Sequence, residues 1–226
     1  MVWLSQLNKM IAKFQYLTQD LATISHAELA EIACKNGVKW LQLRTKNLAY
    51  EDWLYTARSV KEICDAFQCT LIINDNVSIA QEINAHGVHL GLDDMPPQKA
   101  RQLLGEHIII GGTANTFEDI LRQVNNGCNY IGLGPIYFTD TKKNTKPEIG
   151  ISALQQMMRM LCLRKINVPI IAIGGIKLVD IEPVLKTGVH GIAVSSGVNL
   201  SPIREIILQQ FLDKINAIPN GQTSNC

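Results

Sequence analysis

Short apolar runs alternate with longer amphipathic segments along most of this 226-residue chain. Each run is apolar on both faces, which is typical of strands buried in a parallel sheet. The predicted strands are Phe14–Leu17, Lys39–Leu43, Thr70–Ile73, Gly87–Leu90, Ile108–Gly111, Tyr130–Leu133, Ile170–Ile173 and Gly191–Val194. Segments between them, such as 26–37 and 50–67, carry apolar residues at helical spacing. Gly37, Gly127 and Gly188 follow such segments, where a left-handed helix cap is expected.

Eight strand–helix units in one uninterrupted chain predict an α/β fold, a single (β/α)8 TIM barrel over residues 1–218. The length fits, because such barrels run to roughly 200–250 residues as one domain. We expect an extra N-terminal helix in the first dozen residues, covering the barrel floor, and a disordered tail over 219–226. In this fold the active site lies at the carboxyl ends of the strands, so functional side chains should directly follow the apolar runs.

The composition is that of an ordinary globular protein and argues against several classes of function. The 21 basic and 20 acidic residues give a formal net charge of +1, without the concentrated basic excess that nucleic-acid binding needs. No apolar run approaches the roughly 18–20 residues of a membrane span, and no secretory signal is recognisable at the N-terminus. The expected partners are therefore small molecules, not nucleic acid or a membrane, and the side chains described below favour phosphorylated ones. The sequence leaves a homo-oligomer open.

Six cysteines are scattered along the chain without a pattern that indicates a site. Zinc sites show tightly paired cysteine spacing, and secreted disulfide frameworks are small and dense in cysteine. Neither pattern is present here. We interpret the cysteines as reduced thiols of a cytoplasmic protein.

Basic and acidic side chains follow the second, third and fourth predicted strands. Strand alternation puts Gln42 and Arg44 on one side, and Lys46 joins them if the chain stays extended; such donors suit a phosphate or diphosphate. Asp75 and Asp94 follow neighbouring strands about 4.8 Å apart, so both are expected to face one ion, and Mg2+ prefers such oxygen ligands. The alternatives are solvated surface charges for the first group and helix N-caps for the second.

The loops after the last three strands carry glycines and hydroxyls. The loop over residues 132–150 exceeds the ~12–15 residues beyond which loops are commonly functional lids or disordered. We expect it to contact an anion and close over substrate, with a flexible surface loop as the alternative. Gly174-Gly175 and Ser195-Ser196-Gly197 follow the seventh and eighth strands, where barrels of this class often bind phosphate.

These residues occur in the order seen in the thiamine phosphate synthase family, which the chain resembles from Phe14 to Gly197. The matching motifs are Gln42–Lys46 (QLRTK), Asn74-Asp75, Gly87–Gly91 (GVHLG) with Asp94, Gly132–Tyr137 (GLGPIY) with Thr139–Lys142 (TDTK), and Gly174-Gly175. The segment from GPIY to TK is the most specific part. Enzymes of that family join hydroxymethylpyrimidine diphosphate to thiazole phosphate and release diphosphate.

The resemblance implies a role for each matching residue. It implies that the diphosphate is held by Arg44, Lys46, Asn74 and Lys142, and Mg2+ by Asp75 and Asp94. It implies that the pyrimidine is bound by Gln42 and Thr113, and the thiazole phosphate by Thr139, Thr141, Gly175, Ser195 and Ser196. The implied transferase reaction is dissociative: diphosphate leaves first, and the thiazole nitrogen captures a pyrimidine carbocation. Arg44, Lys46 and Lys142 would then be the catalytic cations.

The chain also departs from the family pattern. Leu92 stands where the family often has Gln, and Thr113–Thr116 replaces a segment that usually carries Ser and His. A sister branch isomerises thiazole phosphate and relies on a histidine in that segment, whereas this chain has Asn115. A tautomerase-like barrel and a non-catalytic phosphate-binding barrel are the alternative functions. We interpret His89, which lies within a strand, as a structural histidine.

Overall fold

The computed structural model describes residues 11–139 and 147–218 and contains a closed barrel of parallel strands. The strands follow the chain order around the barrel, and the first pairs with the eighth, where Phe14 lies beside Ile192. The strands are β1 (Phe14–Leu17), β2 (Trp40–Leu43), β3 (Thr70–Asn74), β4 (Gly87–Leu90), β5 (Ile109–Ala114), β6 (Tyr130–Leu133), β7 (Ile170–Ile173) and β8 (Gly191–Val194). The predicted (β/α)8 barrel is confirmed.

Helices cover the outside of the barrel and connect successive strands. They are α1 (His26–Lys35), α2 (Tyr50–Ala66), α3 (Val77–Glu82), α4 (Pro97–Leu104), α5 (Phe117–Asn125), α6 (Gly150–Leu163), α7 (Ile181–Lys186), α8 (Ser196–Asn199) and α9 (Arg204–Ala217), with a 3-10 turn at Leu178–Asp180. The starts of α1 and α5 are fixed by capping boxes, formed by Ser25 with Glu28 and by Thr116 with Asp119. Each box satisfies backbone donors that the first helical turn leaves free.

Most strands have the predicted bounds, and β5 differs most. The prediction ended this strand at Gly111, whereas it continues to Ala114, because Thr113 and Ala114 pair with β6. The helix-stop glycines Gly37, Gly127 and Gly188 do have positive φ angles, of 89°, 78° and 95°. The predicted N-terminal helix and the predicted disordered tail lie outside the described residues, so they and the domain bounds stay predictions.

Two apolar layers hold the fold together, one inside the barrel and one between the strands and the helices. The interior layer contains Ile11, Leu17, Trp40, Ile72, Ile109, Tyr130, Ile171 and Ala193. Trp40 and Tyr130 meet edge to face there, with ring centroids 4.8 Å apart. Because side chains alternate along a strand, the next inward residues towards the carboxyl end are Gln42 after Trp40 and Asn74 after Ile72. A polar layer therefore lies directly above the packed interior.

The described residues test two expectations from the sequence, the absence of a membrane span and the state of the cysteines. In these segments, no helix combines the length and the apolar character needed to cross a bilayer. Cys34, Cys64, Cys69 and Cys128 are free thiols, as expected, whereas Cys162 is disulfide-bonded. The interpretation of all cysteines as reduced thiols is therefore wrong for Cys162.

Candidate active site at the carboxyl-terminal rim

The polar layer above the barrel interior is a connected hydrogen-bond network. His89 Nδ1 lies 3.0 Å from the hydroxyl of Tyr130, and its Nε2 lies 3.0 Å from Oγ1 of Thr113. Gln42, which is only 2% exposed, is also a hydrogen-bond partner of the Tyr130 hydroxyl. His89 is thus held on both ring nitrogens, as interpreted from the sequence, and it fixes the Thr113 hydroxyl at the floor of the rim.

Charged side chains from β2, β3 and β4 converge above this layer. Lys46 Nζ donates a hydrogen bond to Oδ2 of Asp75 at 2.8 Å. Asp75 and Asp94 lie close enough for each carboxyl group to shift the pKa of the other. Arg44 is half-buried beside them, where Asp75 acts on its charge. The structure therefore brings together the two cations and two carboxylates that the sequence placed on neighbouring strands.

The two carboxyl groups have pKa values shifted in opposite directions. Burial alone raises the pKa of Asp75, but the hydrogen bond and charge of Lys46 and a hydrogen bond from Asp94 bring it below its ordinary value. Burial, followed by the hydrogen bond and the charge of Asp75, raises the pKa of Asp94. Two acids that cannot both ionise freely at close range are a favourable environment for a cation.

Helix capping does not explain either carboxylate. Asn76 is the N-cap of α3, and its side chain accepts a hydrogen bond from the Ile79 N–H at 3.0 Å. Asp94 lies two residues before Pro96, the N-cap of α4, and its Oδ2 accepts the N–H of Gly91 at 2.6 Å. The N-cap alternative is therefore wrong for both acids, because neither carboxylate caps a helix.

The backbone at Asp75 is in an uncommon conformation. Its φ angle is +63°, and its N–H donates to the carbonyl of His89 at 2.8 Å. Asp tolerates the left-handed region better than most residues, yet such conformations are concentrated at functional sites. The turn directs the carboxylate to the rim directly after β3 ends at Asn74.

Asn74 brings an unused donor to the same place. The residue is 5% exposed, and among the described residues its Nδ2 has no hydrogen-bond partner. A buried donor without a partner costs about 1–3 kcal/mol. The amide is therefore suited to an anionic ligand that supplies the missing acceptor.

The loop after β1 contributes rim contacts that the sequence analysis missed. Asp20 Oδ2 accepts the N–H of Lys46 at 2.9 Å, and its Oδ1 accepts Nε2–H of His26 at 2.8 Å. Thr18 Oγ1 accepts the N–H of Arg44 at 3.1 Å. Burial alone raises the pKa of Asp20, but hydrogen bonds from the Lys46 N–H, Thr45 and His26 lower it overall. The signal was available, because Thr18 and Asp20 directly follow an apolar run.

The ends of β6 and β7 are built for close backbone contact. A Cβ on Gly174 would lie 2.7 Å from Cβ of Pro135, and one on Gly175 would lie 2.5 Å from the carbonyl oxygen of Phe138. Both glycines also have positive φ angles, of 100° and 67°. These glycines therefore seat the first part of the long loop, which is a different reason for glycine than the predicted approach of an anion.

Of the other residues predicted to bind phosphate, some lie at the rim and some lie outside the described residues. Ser195 Oγ faces Oε1 of Gln19 at 3.5 Å and accepts Nδ2–H of Asn199 at 3.2 Å, so its hydroxyl is already engaged. Ser196 is the first residue of α8 and is half-buried. Thr139 is half-buried in the loop after β6. Thr141 and Lys142 lie outside the described residues, so their predicted contacts stay predictions.

Comparison with known proteins decides the family. The model of the family described as thiamine monophosphate synthase matches residues 16–198. The chain belongs to this family. A thiamine-phosphate synthase of Flavobacterium johnsoniae is 46% identical over 208 residues, which cover 92% of this chain and 98% of the relative. One of Bacteroides fragilis is 42% identical over 83% of this chain and 92% of the relative.

A solved structure agrees with the family membership. The thiamine phosphate pyrophosphorylase of Pyrococcus furiosus superposes with a TM-score of 0.81 at 26% identity, covering 93% of this chain and 98% of that one. The resemblance inferred from the motifs is thus confirmed at the level of the family, and the chain is a transferase-type enzyme of the thiamine-phosphate synthase family. The roles of single residues are not tested by these comparisons.

Proposed function

We propose that this chain joins hydroxymethylpyrimidine diphosphate to thiazole phosphate, giving thiamine phosphate and diphosphate. Family membership over residues 16–198 supports this proposal. The single observation that carries it is the meeting of Lys46, Asp75 and Asp94 at one rim, with Lys46 Nζ 2.8 Å from Asp75. A phosphate-binding barrel without diphosphate chemistry has no need for two adjacent carboxylates beside two cations.

The donor set fits Mg2+. Asp75 and Asp94 offer hard oxygen ligands that follow adjacent strands, and a bound ion would offset the burial and the Asp75 charge that raise the pKa of Asp94. Asp75 and Asp94 would hold the ion. When bound, it supplies positive charge to the oxygens of the leaving diphosphate.

The chain's own cations act on the same leaving group. In the proposed reaction, the bond between the pyrimidine methylene carbon and the diphosphate oxygen breaks, and both electrons go to the oxygen. Arg44 and Lys46 stabilise the developing negative charge, together with Lys142 from the loop after β6. Asn74 donates its unused Nδ2–H to the diphosphate. Thr18 and Asp20 accept the backbone N–H groups of Arg44 and Lys46 and so fix the backbone that carries these two cations.

The second half of the reaction needs orientation more than acid or base. Gln42 and Thr113, fixed by Tyr130 and His89, hold the pyrimidine at the floor of the rim. The thiazole phosphate is proposed to bind to the loops after β6, β7 and β8, through Thr139, Thr141, Gly175, Ser195 and Ser196. The thiazole nitrogen then attacks the methylene carbon. Because the bound thiazole is held next to this carbon, the reaction has the rate advantage of an intramolecular step.

The tautomerase-like alternative lacks its essential group. Its expected histidine is replaced by Asn115, whose Nδ2 donates a hydrogen bond to the carbonyl of Gly134 and so positions the loop. We therefore favour the synthase. Because its substrates are phosphorylated and do not cross membranes freely, we propose that the enzyme acts in the cytoplasm.

The direct test is product formation by the purified chain. We expect thiamine phosphate, identified by mass, when the chain is mixed with the pyrimidine diphosphate, the thiazole phosphate and Mg2+, and none when excess chelator is present. Product in chelator would remove the metal from the mechanism. Absence of product under all conditions, from a chain that still binds thiazole phosphate, would favour a binding protein.

A further inference from the structure

Three buried cysteines meet at the opposite end of the barrel from the rim. Cys34 lies in the last turn of α1, Cys64 in the last turn of α2, and Cys69 directly before β3. Their sulfur atoms all lie within 4.8 Å of one another, and the residues are at most 3% exposed. Helix ends and strand starts mark the amino-terminal face, so this cysteine cluster is separate from the catalytic rim.

We propose that the cysteine cluster binds one thiophilic divalent metal ion of the Zn2+ class through three thiolates. A Zn–S bond of about 2.3 Å implies sulfur–sulfur separations of roughly 3.8–4.0 Å in tetrahedral or trigonal geometry. Separations below 4.8 Å reach this range through small side-chain movements. Soft sulfur ligands select such metals over Mg2+, so the two sites of the protein differ in the ion they take.

The helix stop after α2 preorganises two of the ligands. The N–H of Cys69 donates to the carbonyl of Cys64 at 2.8 Å, and that of Gln68 donates to Asp65 at 3.2 Å. Gln68 has a φ angle of +51°, which completes a Schellman motif. This motif places the side chains at the positions of Cys64 and Cys69 in contact. The backbone therefore sets their spacing before any metal binds.

Charge at the cluster favours a divalent ion. Lys39 Nζ donates to the carbonyl of Phe67 at 2.9 Å, between the second and third cysteines in the chain, and its charge acts on Cys34 and Cys69. Three thiolates with one divalent cation carry a single negative charge, which the Lys39 ammonium offsets. A monovalent cation would leave two negative charges against the single Lys39 ammonium, and thus one uncompensated charge in a buried place.

A surface pocket gives the cluster an entry path and an open fourth position. Cys64 and Cys69 line this pocket together with His86. His86 Nδ1 accepts the N–H of Leu71 at 2.9 Å, so its Nε2 carries the proton and faces Asp65 at 3.9 Å. In this tautomer the imidazole is not a ligand. The fourth position is left to water from the pocket.

Cadmium titration of the reduced, metal-free chain tests the proposal, because only sulfur ligation produces a thiolate-to-cadmium absorption band in the ultraviolet. We expect the band to saturate at one equivalent. Cys64→Ala should weaken binding by more than the roughly 10–100-fold that loss of an outer-shell partner costs. Cys128→Ala, at a free cysteine outside the cluster, is the matched control and should bind normally. An absent band, or an unchanged band in Cys64→Ala, would overturn the proposal.

A second measurement needs no variant and so does not depend on a substituted core remaining folded. Alkylation of the native chain, read by mass spectrometry of peptides, should be slowed by Zn2+ at all three cluster cysteines and unchanged at Cys128. Equal alkylation rates with and without Zn2+ would identify the cluster as helix packing only. Binding of Zn2+ at the carboxylates of the rim would not protect a thiol.

Discussion

The two halves of the rim are built by different means. The charged half, formed by Arg44, Lys46, Asp75 and Asp94, relies on side chains that compensate one another. The glycine half, formed by the loops after β6 and β7, relies on backbone that passes too close for a Cβ, as at Gly134 and Gly175. The charged half is thus defined by the side chains that it carries, and the glycine half by the side chains that it lacks.

The difference also predicts how each half trades stability against function. The charged half contains a left-handed Asp75, a repelled Asp94 and an unpartnered Asn74 amide, all of which cost stability without a ligand. Removing a side chain there should therefore leave the fold intact. The glycine half is packed against its loop, so adding an atom there should disturb fold and function together.

The largest expected effect is loss of turnover in Asp75→Ala. Removing this carboxylate takes away a metal ligand and the partner of Lys46, and we expect turnover to fall on the order of 10²–10³-fold, as for loss of one preorganised electrostatic group. Steady-state assays with both substrates measure it. Asp93→Ala, at the exposed neighbour of Asp94, is the matched control and should stay close to wild type.

Near-wild-type turnover in Asp75→Ala, with an unchanged unfolding curve, would break the comparison by showing that the charged half is not catalytic. Equal losses in Asp75→Ala and Asp93→Ala would instead indicate a general effect of negative charge at the rim.

A smaller effect is expected for Gly175→Ala. The new methyl group would clash with the Phe138 carbonyl in a left-handed backbone, at a cost of about 1–3 kcal/mol in free energy of unfolding. We also expect a raised KM for thiazole phosphate. Chemical denaturation and steady-state kinetics measure the two effects. Gly37→Ala separates clash from strain, because Gly37 has a positive φ but nothing within 4 Å of a Cβ. Gly37→Ala should lower the stability without changing the KM. A similar rise in KM in this variant would contradict the explanation that Gly175 acts by packing against the loop after β6.

Next in size is the positioning role of Asp20. Without its carboxylate, the Lys46 backbone loses its acceptor, and we expect Asp20→Ala to raise the KM for the pyrimidine diphosphate more than it lowers kcat. Asp20→Asn, which keeps one carbonyl oxygen, should recover part of the loss. Equal damage in both variants, confined to kcat, would argue against positioning.

The pH dependence of stability gives an independent test of the role of Asp20. Its pKa is lowered in the folded chain, so its stabilising contribution is complete above the ordinary value of 3.8 and is lost as pH falls through the lowered value. The stability gap between wild type and Asp20→Ala should therefore narrow below pH 3.8. A gap that widens on acidification would contradict the assigned direction of the pKa shift.

The smallest expected effect is a gain in stability. Asp94→Asn keeps an oxygen for the Gly91 N–H but removes the repulsion with Asp75, so without metal we expect up to about 1 kcal/mol of added stability at neutral pH. Because the folded-state pKa of Asp94 is raised, the gain should disappear in acid, where the wild-type carboxyl is protonated. Urea unfolding in chelator at both pH values tests this, and a loss of stability at neutral pH would contradict it.

Much of the charged half follows from strand alternation. Gln42 lies in β2 and Arg44 follows directly after its end, and Asp75 and Asp94 follow adjacent strands, so their meeting needs only the barrel. The position of Asp20 after an apolar run could have marked it as a rim residue, but its contact with the Lys46 N–H depends on a loop that bends back over the end of another strand. Long-range loop geometry leaves no periodic signal in the sequence.

The length of β5 was missed for a packing reason. Gly111 and Gly112 look like a strand end, because glycine is disfavoured in strands. Here a Cβ on Gly111 would lie 2.2 Å from the Tyr130 ring, and one on Gly112 would lie 2.7 Å from Sγ of Cys128. The glycines make room for neighbours on both faces while the strand continues. Only the three-dimensional packing distinguishes this case from a true stop.

Calorimetric titration with diphosphate tests the central claim most directly, because it isolates the leaving group from the rest of the reaction. We predict that wild-type chain binds diphosphate tightly with Mg2+ and weakly in chelator. In the double variant Asp75→Asn with Asp94→Asn, Mg2+ should no longer improve diphosphate binding. Equal diphosphate affinity with and without Mg2+ in the wild type, or full Mg2+ dependence in the double variant, would contradict the account.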